Sequence, residues 1–510
     1  MNKMIHRNSK KLATLSLLAI IPAITLVCSS AHADEIDDFI QAKMTEKRIP
    51  GMQLAVVRNN EIIKTASYGF SSLQHSVAVD KDTIFPIASM TKAFVGVAIM
   101  QLVEQGKIDL SEEISSYLPN LPTKWQEITV RQLLTHTSGL PRIMSGHKMN
   151  LIDAKGPEAS WELVQKRPLE SEANSKWSYV QTNYILLGKI IDKVSGQPFE
   201  EFIAQNQLQK VKMPKTEAAG FAAQQYVVPH QSMNYMYNQN GTLTSFSFGM
   251  PRFLAPSGGM NSTATELARY AIAVQKGYLF EKKSSLQTLF RQKSGLQTLW
   301  SPGKLNNGNM VGRNNSQGYA LGWEMIGRNE HPAVFIGGNA NSAMHIYPKD
   351  NLSIVLLGNL LGSDPKTFMD EIAGFYISDM KAENGFGLPP TAKPLFLALK
   401  NKSYENAIEV AIELQKSQNI KFGINDINNW GYMLIDQNKK SHALEIFRLN
   451  TVLYPENANA WDSLAETYGA LGNMENAVKY YQKALEINPD YANADNIRKM
   501  MKANGIKPKH

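Results

Sequence analysis

Residues 85–94 read FPIASMTKAF and place Ser89 three residues before Lys92. From Ser89 to Gln105 the chain is rich in good helix formers and lacks proline, and Gly106 follows, which predicts a helix that ends at the glycine. Residues three apart share one face of a helix, so the lysine amine is expected one turn from the serine hydroxyl. A serine hydroxyl is a weak nucleophile until a neighbouring base activates it. The spacing therefore indicates a nucleophile of the Ser-x-x-Lys type.

The Ser-x-x-Lys spacing alone is not specific. It recurs four more times in the chain, at Ser145/Lys148, Ser301/Lys304, Ser363/Lys366 and Ser378/Lys381. The copies at Ser301 and Ser363 contain a proline, which disfavours a helical turn. The copy at Ser89 differs because it opens a long apolar helix and because further motifs follow it in order. Ser89 is therefore the candidate nucleophile.

The first 33 residues have the organisation of a secretory signal peptide. Four basic residues precede an apolar run from Leu12 to Val27, and Ala31–Ala33 (AHA) matches a cleavage signal. We expect cleavage after Ala33, a mature chain that begins at Asp34, and a periplasmic or secreted location. The alternative is an uncleaved segment that remains as a membrane anchor.

The composition indicates a globular protein without thiol chemistry. Hydrophobic residues make up 43% of the chain and charged residues 19%, which argues against disorder. Cys28 is the only cysteine and lies in the signal segment, so no disulfide, thiol nucleophile or thiolate metal site is expected. The signal carries four of the 53 basic residues and none of the 45 acidic ones, so its removal leaves a net charge of +4. We expect no nucleic-acid partner, no membrane span after signal cleavage, no metal and no cofactor.

Apolar periodicity predicts an α+β domain in which helices flank an antiparallel sheet and a helical region fills the middle of the chain. The predicted strands are 52–57 and 61–66, joined by a turn at 58–60, and then 333–335, 343–347 and 353–357. The predicted helices are 35–47, 89–105, 183–194, 263–275 and 367–381, and a loop is expected at 255–259.

A repeat of 34 residues follows a Gly/Pro-rich segment. Ala443, Phe447 and Pro455 recur as Ala477, Tyr481 and Pro489. This period and pattern are typical of tetratricopeptide repeats, which are helix pairs that stack on one another. Further helices near 404–414 and 492–501 are expected to flank the two copies. The predicted domains are a signal peptide (1–33), a catalytic domain (34–383), a linker (384–394) and an all-α repeat domain (395–510).

Six stretches carry a resemblance to a known family. They occur in a fixed order at 85–92, 102–110, 133–141, 183–188, 256–264 and 318–323. In these stretches the chain resembles the serine β-lactamase and penicillin-recognising family. It is most similar to the branch that contains class C β-lactamases, D-alanyl-D-alanine peptidases and family VIII esterases. The resemblance implies that family's fold for residues from about 35 to 381.

The resemblance implies roles for the first two motifs. Ser89 would be the acylated nucleophile and Lys92 its proton partner, and the Ser89 N–H at the start of a helix suits an oxyanion donor. The Tyr-x-Asn motif falls on residues 179–181, where Tyr179 is expected to act as general acid or base if Lys92 lowers its pKa. Gln181 replaces the asparagine and is expected to contact the substrate at an altered reach.

The third motif, usually Lys-Thr-Gly or His-x-Gly, is placed at residues 335–338 (FIGG). In this register Phe335 stands where the family has a cation or an imidazole. Gly337 and Gly338 permit a close approach of the substrate, and the Gly338 N–H is expected to be the second oxyanion donor. The lost cation favours neutral esters or amides over substrates with a carboxylate.

Other cationic and imidazole groups are weaker candidates for the site. Arg142 or Arg252 is able to supply a cation from a loop, whereas His331 and His345 do not convincingly replace the missing residue. In this family the stretch around His136 is structural, and Lys92 and Tyr179 already fill the base role.

The sequence thus predicts an exported serine hydrolase that forms an acyl-enzyme with a small-molecule or peptide substrate. An esterase or peptidase-like activity ranks first, a D-Ala-D-Ala carboxypeptidase second and a β-lactamase third. The alternative is a catalytically weak scaffold that binds peptidoglycan fragments or a protein partner through its repeats.

Overall fold

A computed structural model describes residues 30–145, 150–151, 155–221, 227–247, 250–280, 303–314, 317–339 and 341–503. The predicted signal peptide lies outside these residues up to position 29, so the prediction of a cleaved signal stays a prediction. Within the described ranges, no helix has the length and apolar content needed to span a membrane.

A nine-stranded antiparallel sheet forms the centre of residues 51–358, counted over the described residues. Its strands are β1 (Gly51–Arg58), β2 (Glu61–Ser72), β3 (Val77–Ala78), β10 (Gly312–Asn314), β11 (Gln317–Tyr319), β12 (Glu324–Ile326), β13 (Ala333–Gly338), β14 (Ser342–Tyr347) and β15 (Leu352–Gly358). Their spatial order is β10-β11-β12-β13-β14-β15-β1-β2-β3. Two-stranded ribbons pair β4 (Phe85–Pro86) with β9 (Asn261–Ser262), β5 (Met144–Ser145) with β6 (Asn150–Leu151), and β7 (Asn234–Tyr237) with β8 (Leu243–Phe246).

The local sequence explains the first hairpin. Seven of the eight residues of β1 are buried, as expected for an apolar strand between two neighbours, whereas β2 alternates along most of its length. Asn59 and Asn60 both have positive φ angles, 52° and 65°. Positive φ at both central residues is the conformation that a two-residue hairpin turn favours, and asparagine tolerates it well. The predicted strands and turn are confirmed.

Helices cover both faces of the sheet. Among the described residues of 30–374, the α-helices are α1 (Ser30–Lys47), α2 (Thr91–Glu104), α3 (Val130–Leu134), α4 (Pro157–Lys166), α5 (Gln181–Ser195), α6 (Phe199–Ile203), α7 (Gln209–Val211), α8 (Pro214–Ala219), α9 (Ala264–Lys276) and α10 (Met369–Gly374). One core packs α2, α5 and α9 against one face, and a second core packs α1 and α10 against the other. The α+β fold with a flanked antiparallel sheet is confirmed.

Two predicted segments are wrong in detail. The predicted loop at 255–259 is mostly a 3₁₀ helix, Arg252–Ser257. The predicted helix 367–381 is divided into a 3₁₀ turn, α10 and a second 3₁₀ turn at Ser378–Met380. The division occurs at Gly374, because glycine is a poor helix former. The chain also turns tightly there, since a Cβ on Gly374 would lie 3.2 Å from the Met380 carbonyl oxygen.

The C-terminal region is helical, as predicted. Its helices are α11 (Ala392–Leu399), α12 (Ala407–Gln418), α13 (Ile424–Asp436), α14 (Lys440–Leu453), α15 (Ala458–Ala470), α16 (Met474–Ile487) and α17 (Ala494–Ala503). The repeat-related Ala443 and Ala477 are both fully buried between paired helices. The region touches the sheet domain through Lys393, whose amine lies 2.7 Å from a Glu330 carboxylate oxygen.

Candidate active site

Ser89 lies on a short 3₁₀ turn, Ala88–Met90, that leads directly into α2. The preceding Ala88 has φ 45°, a left-handed conformation that a residue with a Cβ rarely adopts. Thr91 holds this turn, because its Oγ1 donates to the Ala88 carbonyl at 2.7 Å and accepts from the Met260 N–H at 3.1 Å. The half-buried Ser89 is therefore held in place by contacts to its neighbours in the chain and to the segment before β9.

Lys92 is fully buried one turn further along α2. Its Nζ donates to Ser89 Oγ at 3.2 Å and to the Ser257 carbonyl at 2.5 Å. Burial disfavours the charged ammonium and lowers the pKa of Lys92 to about 7, although the negative charge of Glu324 opposes this shift. Near neutral pH a large fraction of this amine is therefore uncharged and able to accept the serine proton.

Tyr179 lies on the other side of the lysine amine. Lys92 Nζ is 4.8 Å from the centre of the Tyr179 ring, and the neighbouring Ser89 hydroxyl acts to lower the pKa of the Tyr179 phenol. Burial raises the pKa of Tyr179 well above its usual value, so the condition of a pKa lowered by Lys92 is not met. The phenol is neutral at physiological pH and is suited to donate a proton rather than to act as a phenolate base.

His136 supports the segment that carries Tyr179. Its ring centre is 4.4 Å from that of Tyr179, and its Nδ1 accepts from the Val180 N–H at 3.3 Å and lies 2.9 Å from Asn183 Nδ2. Burial, together with the charges of Lys92 and Arg142, lowers the pKa of His136 well below its usual value. A neutral, buried imidazole that accepts a backbone hydrogen bond from Val180 is consistent with the predicted structural role.

The stretch 318–323 closes the site behind Lys92. Gly322 has φ 91°, and a Cβ on it would lie 2.6 Å from the Lys92 carbonyl oxygen. Tyr319 from the same stretch is buried with its ring centre 5.0 Å from that of His136. The close approach of Gly322 to the Lys92 carbonyl requires a glycine. The stretch 318–323 therefore helps to hold Lys92 in position.

The strand that carries the third motif, β13, presents different side chains to the α2 face than predicted. Val334 and Ile336 pack in the same core as α2, whereas Phe335 packs at a tilt against His345 with ring centres 4.8 Å apart. Successive side chains of a strand point to opposite faces, so Phe335 points away from α2. The placement of Phe335 at the cation position is therefore wrong; Ile336 is the side chain on the α2 face. The sequence could not decide between registers that differ by one residue.

The two glycines of β13 differ in their surroundings. A Cβ on Gly338 would lie 2.1 Å from the carbonyl oxygen of Ile87, two residues before Ser89, whereas a Cβ on Gly337 would meet only ordinary contacts. The strand thus approaches the nucleophile turn at Gly338, where only glycine fits. Gln181 begins α5 and is half-buried, and within the described residues no hydrogen bond joins it to Ser89 or Lys92.

The cations suggested by the sequence are engaged elsewhere. Arg142 donates to the Tyr179 carbonyl at 3.2 Å and to Ser178 Oγ at 3.1 Å, and Arg252 lies 2.7 Å from a Glu200 oxygen.

Sequence reasoning missed Arg313 on β10. Its guanidinium lies 5.8 Å from the centre of the Trp177 ring, and its Nε donates to Glu324 at 3.0 Å. Only its position, five residues before the stretch at 318–323, gave a signal for it. Over the described residues, no cluster of three His, Cys, Asp or Glu side chains is able to hold a metal ion.

The buried lysine makes stability depend on pH. Between its folded pKa of about 7 and the usual value of 10.5, the unfolded chain binds more protons than the folded one, so wild-type stability rises with pH in this window. Lys92→Met removes that dependence. The unfolding free energy of the variant minus that of wild type is therefore expected to be about 3 kcal/mol larger at pH 6 than at pH 9.

Chemical denaturation at the two pH values measures this difference. Lys107→Met is the matched control, because Lys107 is exposed. This substitution should change the unfolding free energy by the same amount at both pH values. If the gain in unfolding free energy of Lys92→Met does not change with pH, burial does not lower the pKa of the Lys92 amine.

A serine, a lysine amine with a lowered pKa and a tyrosine thus lie together on the face of the antiparallel sheet that α2 covers. This is the arrangement of serine hydrolases with a Ser-x-x-Lys nucleophile. The chain belongs to the Beta-lactamase family, whose model matches residues 36–376. A Tetratricopeptide repeat model matches residues 458–491.

Individual relatives agree with this assignment. Protein flp of Staphylococcus aureus is 27% identical over 336 residues, which are 64% of this chain and 63% of that protein, so the match spans less than two thirds of the relative. The octameric penicillin-binding protein homologue from Pyrococcus abyssi superposes with a TM-score of 0.56 at 22% identity, over 68% of this chain and 77% of that one. EstCE1, a hydrolase with promiscuous acyltransferase activity, gives a TM-score of 0.52 at 17% identity, over 66% of this chain and 95% of that one. At these identities the two structures support the fold alone.

Proposed function

We propose that the protein is an exported serine hydrolase that acts through an acyl-enzyme on Ser89. The observation that carries the proposal is the buried Lys92 amine, 3.2 Å from Ser89 Oγ and with a pKa lowered to about 7. A base with a pKa near the working pH is the most effective one for removing a proton from a hydroxyl. Membership of the Beta-lactamase family supports the same chemistry.

The proposed reaction has two halves. Ser89 Oγ attacks the substrate carbonyl while uncharged Lys92 takes its proton. The neutral Tyr179 phenol then passes its proton to the leaving alcohol or amine and takes one back from the protonated Lys92, so both side chains return to their starting states. The N–H groups of Ser89 and of the chain at Gly338 are the proposed donors to the oxyanion. Water, deprotonated through the same pair of side chains, then releases the acyl group as a carboxylic acid.

The substrate is an ester, an amide or a peptide of the D-Ala-D-Ala type. Ile336 on the α2 face of β13 offers no charge, which supports an esterase or peptidase-like activity ahead of a β-lactamase. We propose a catalytic domain of residues 34–383, joined by the linker 384–394 to the repeat domain 395–510. Location in the periplasm or outside the cell is part of the proposal and rests on the signal-like N-terminus.

A second function is favoured by the repeat match at 458–491. Tetratricopeptide repeats commonly present a concave surface to protein partners. In this alternative the protein is a weak catalyst that binds peptidoglycan fragments or a protein. Deletion of residues 391–510 would then abolish partner binding but leave hydrolysis by the sheet domain intact.

A substrate panel tests the proposed hydrolase. The full chain is assayed with a chromogenic cephalosporin, nitrophenyl esters and a D-Ala-D-Ala peptide. We expect turnover of at least one of them, and a loss of at least about 10³-fold in Ser89→Ala, since the nucleophile is essential for covalent catalysis. Ser378→Ala, in another copy of the spacing, is the control and should keep wild-type rates. Turnover retained by Ser89→Ala would refute the mechanism.

A further inference from the structure

The linker contacts the sheet domain on the face of the sheet that lies opposite the Ser89 site. Phe386 of the linker is half-buried and packs against the second core, which contains side chains of α1 and α10. Its ring centre lies 4.8 Å from Cζ of the Arg328 guanidinium. Contact with an aromatic face restrains a guanidinium, so the linker helps to fix the orientation of Arg328.

Arg328 in turn holds the first turn of α10. Its two terminal amino groups donate to the two carboxylate oxygens of Asp370, at 2.7 and 3.0 Å, and its Nε donates to the His331 carbonyl at 2.8 Å. A bidentate pair of this kind fixes the relative orientation of the two groups. The position of Asp370 therefore depends on that of Arg328.

From Asp370 the contacts continue to the strand β13. The Tyr347 hydroxyl donates to Asp370 at 2.8 Å and lies 3.4 Å from His345 Nδ1. The His345 ring packs against Phe335, its direct partner across β13 and β14, with ring centres 4.8 Å apart. These three ring-bearing side chains are buried, so a displacement of one of them is felt by its neighbours.

The strand β13 connects this face of the sheet to the nucleophile turn. At its end Gly338 approaches the Ile87 carbonyl so closely that a Cβ does not fit, and the Gly338 N–H is the proposed second oxyanion donor. Phe335 lies three residues earlier on the same strand. Contiguous packed side chains and ion pairs are able to carry coupling between distant sites. A change in the position of Phe335 therefore moves the donor relative to Ser89.

The linker is seated against the sheet domain across an incompletely filled interface. A cavity of about 570 Å³ lies between the turn after β12 and the linker, and its lining includes Arg328, Asp370, Phe386 and Lys393. Lys393 on α11 pairs with Glu330 at 2.7 Å, but the Glu330 side chain is 61% exposed, and exposed ion pairs contribute little. Interfaces of this kind permit relative motion of two regions of a chain.

We infer that Phe386 is a positioning residue for the catalytic strand, so that the rate of hydrolysis at Ser89 depends on how the linker is seated. The inference rests on the proposed function and adds a means of regulating it. A partner that shifts the repeat region also shifts the linker, and the shift reaches the oxyanion donor through Arg328 and β13. Phe386 acts through these contacts and has no direct part in the chemistry.

Kinetics of the full chain with nitrophenyl acetate test the effect on the site. Phe386→Ala is expected to lower kcat roughly tenfold, which is part of the cost of about 10²–10³-fold for loss of one oxyanion donor. KM should stay within about twofold of wild type, because the oxyanion forms only in the transition state. Phe386→Tyr keeps the ring and should retain the wild-type kcat.

The control is Phe375→Ala. Phe375 is also half-buried against the second core, with its ring centre 5.6 Å from that of Phe39, and among the described residues no ring or cation contact joins it to Arg328. This variant loses a phenyl ring from the same core and should keep the wild-type kcat. An unchanged kcat in Phe386→Ala, a loss in KM alone, or an equal loss of kcat in both variants would overturn the inference.

Hydrogen exchange distinguishes failure of this inference from failure of the proposed function. If wild type hydrolyses no ester, or Ser89→Ala retains hydrolysis, the proposed function fails, but the order of β13 is still measurable. We expect amides of residues 334–338 to exchange at least about threefold faster in Phe386→Ala than in wild type or Phe375→Ala, while exchange in β1 stays unchanged and shows that the sheet domain is folded. Equal exchange of residues 334–338 in the three proteins would overturn the inference, whether or not hydrolysis is observed.

Discussion

Lys92→Met is expected to lower kcat/KM at pH 7 by at least about 10³-fold, near the upper range for removal of a positioned general base. Lys92 Nζ is the group that contacts Ser89 Oγ, and its pKa of about 7 makes it a base in the physiological range. Tyr179 is not able to replace it, because burial keeps the phenol protonated. Methionine fills the buried volume without a proton acceptor, so the loss should be catalytic rather than structural.

The pH profile distinguishes loss of a base from loss of structure. Wild-type kcat/KM is expected to rise with pH through about 7 as Lys92 loses its proton, and then to level off. The residual activity of Lys92→Met should lack this rise, while Lys107→Met should keep it. A Lys92→Met enzyme within tenfold of wild type, with the same acid limb, would contradict the proposed role of the lysine.

The sequence predicted the features that depend on local pattern. The hairpin after β1 follows from Asn59 and Asn60, and the helix that presents Lys92 follows from its spacing to Ser89 and the absence of proline. The helical repeats followed from a fixed 34-residue period. In each case the information lies within a short window of sequence, where propensity and periodicity are strongest.

The features that depend on long-range packing were not predictable. The register of β13 was misplaced by one residue, because whether Phe335 or Ile336 faces α2 depends on strand pairing and not on local composition. The role of Tyr179 depended on whether Lys92 lowers its pKa, and the burial produced by distant segments raises that pKa instead. Arg313 was missed since its relation to Trp177 exists only after β10 joins the sheet.

The revised register changes how substrate selectivity is explained. With Ile336 on the α2 face, β13 supplies backbone groups and an apolar wall but no cation. Gly338 remains where only glycine fits against Ile87, so the strand keeps its close approach to the nucleophile turn. Within the proposed mechanism, oxyanion stabilisation is assigned to the Ser89 turn and β13.

The central claim is that Ser89 forms a covalent acyl-enzyme. Its most direct test is the mass of the intact protein after incubation with a fluorophosphonate and, separately, with a penicillin, followed by peptide mapping of any adduct. We expect one equivalent of adduct on the peptide that contains Ser89, none in Ser89→Ala, and a full equivalent in Ser378→Ala. An adduct that maps to another residue, or no adduct with either reagent on a folded wild-type protein, would contradict the claim.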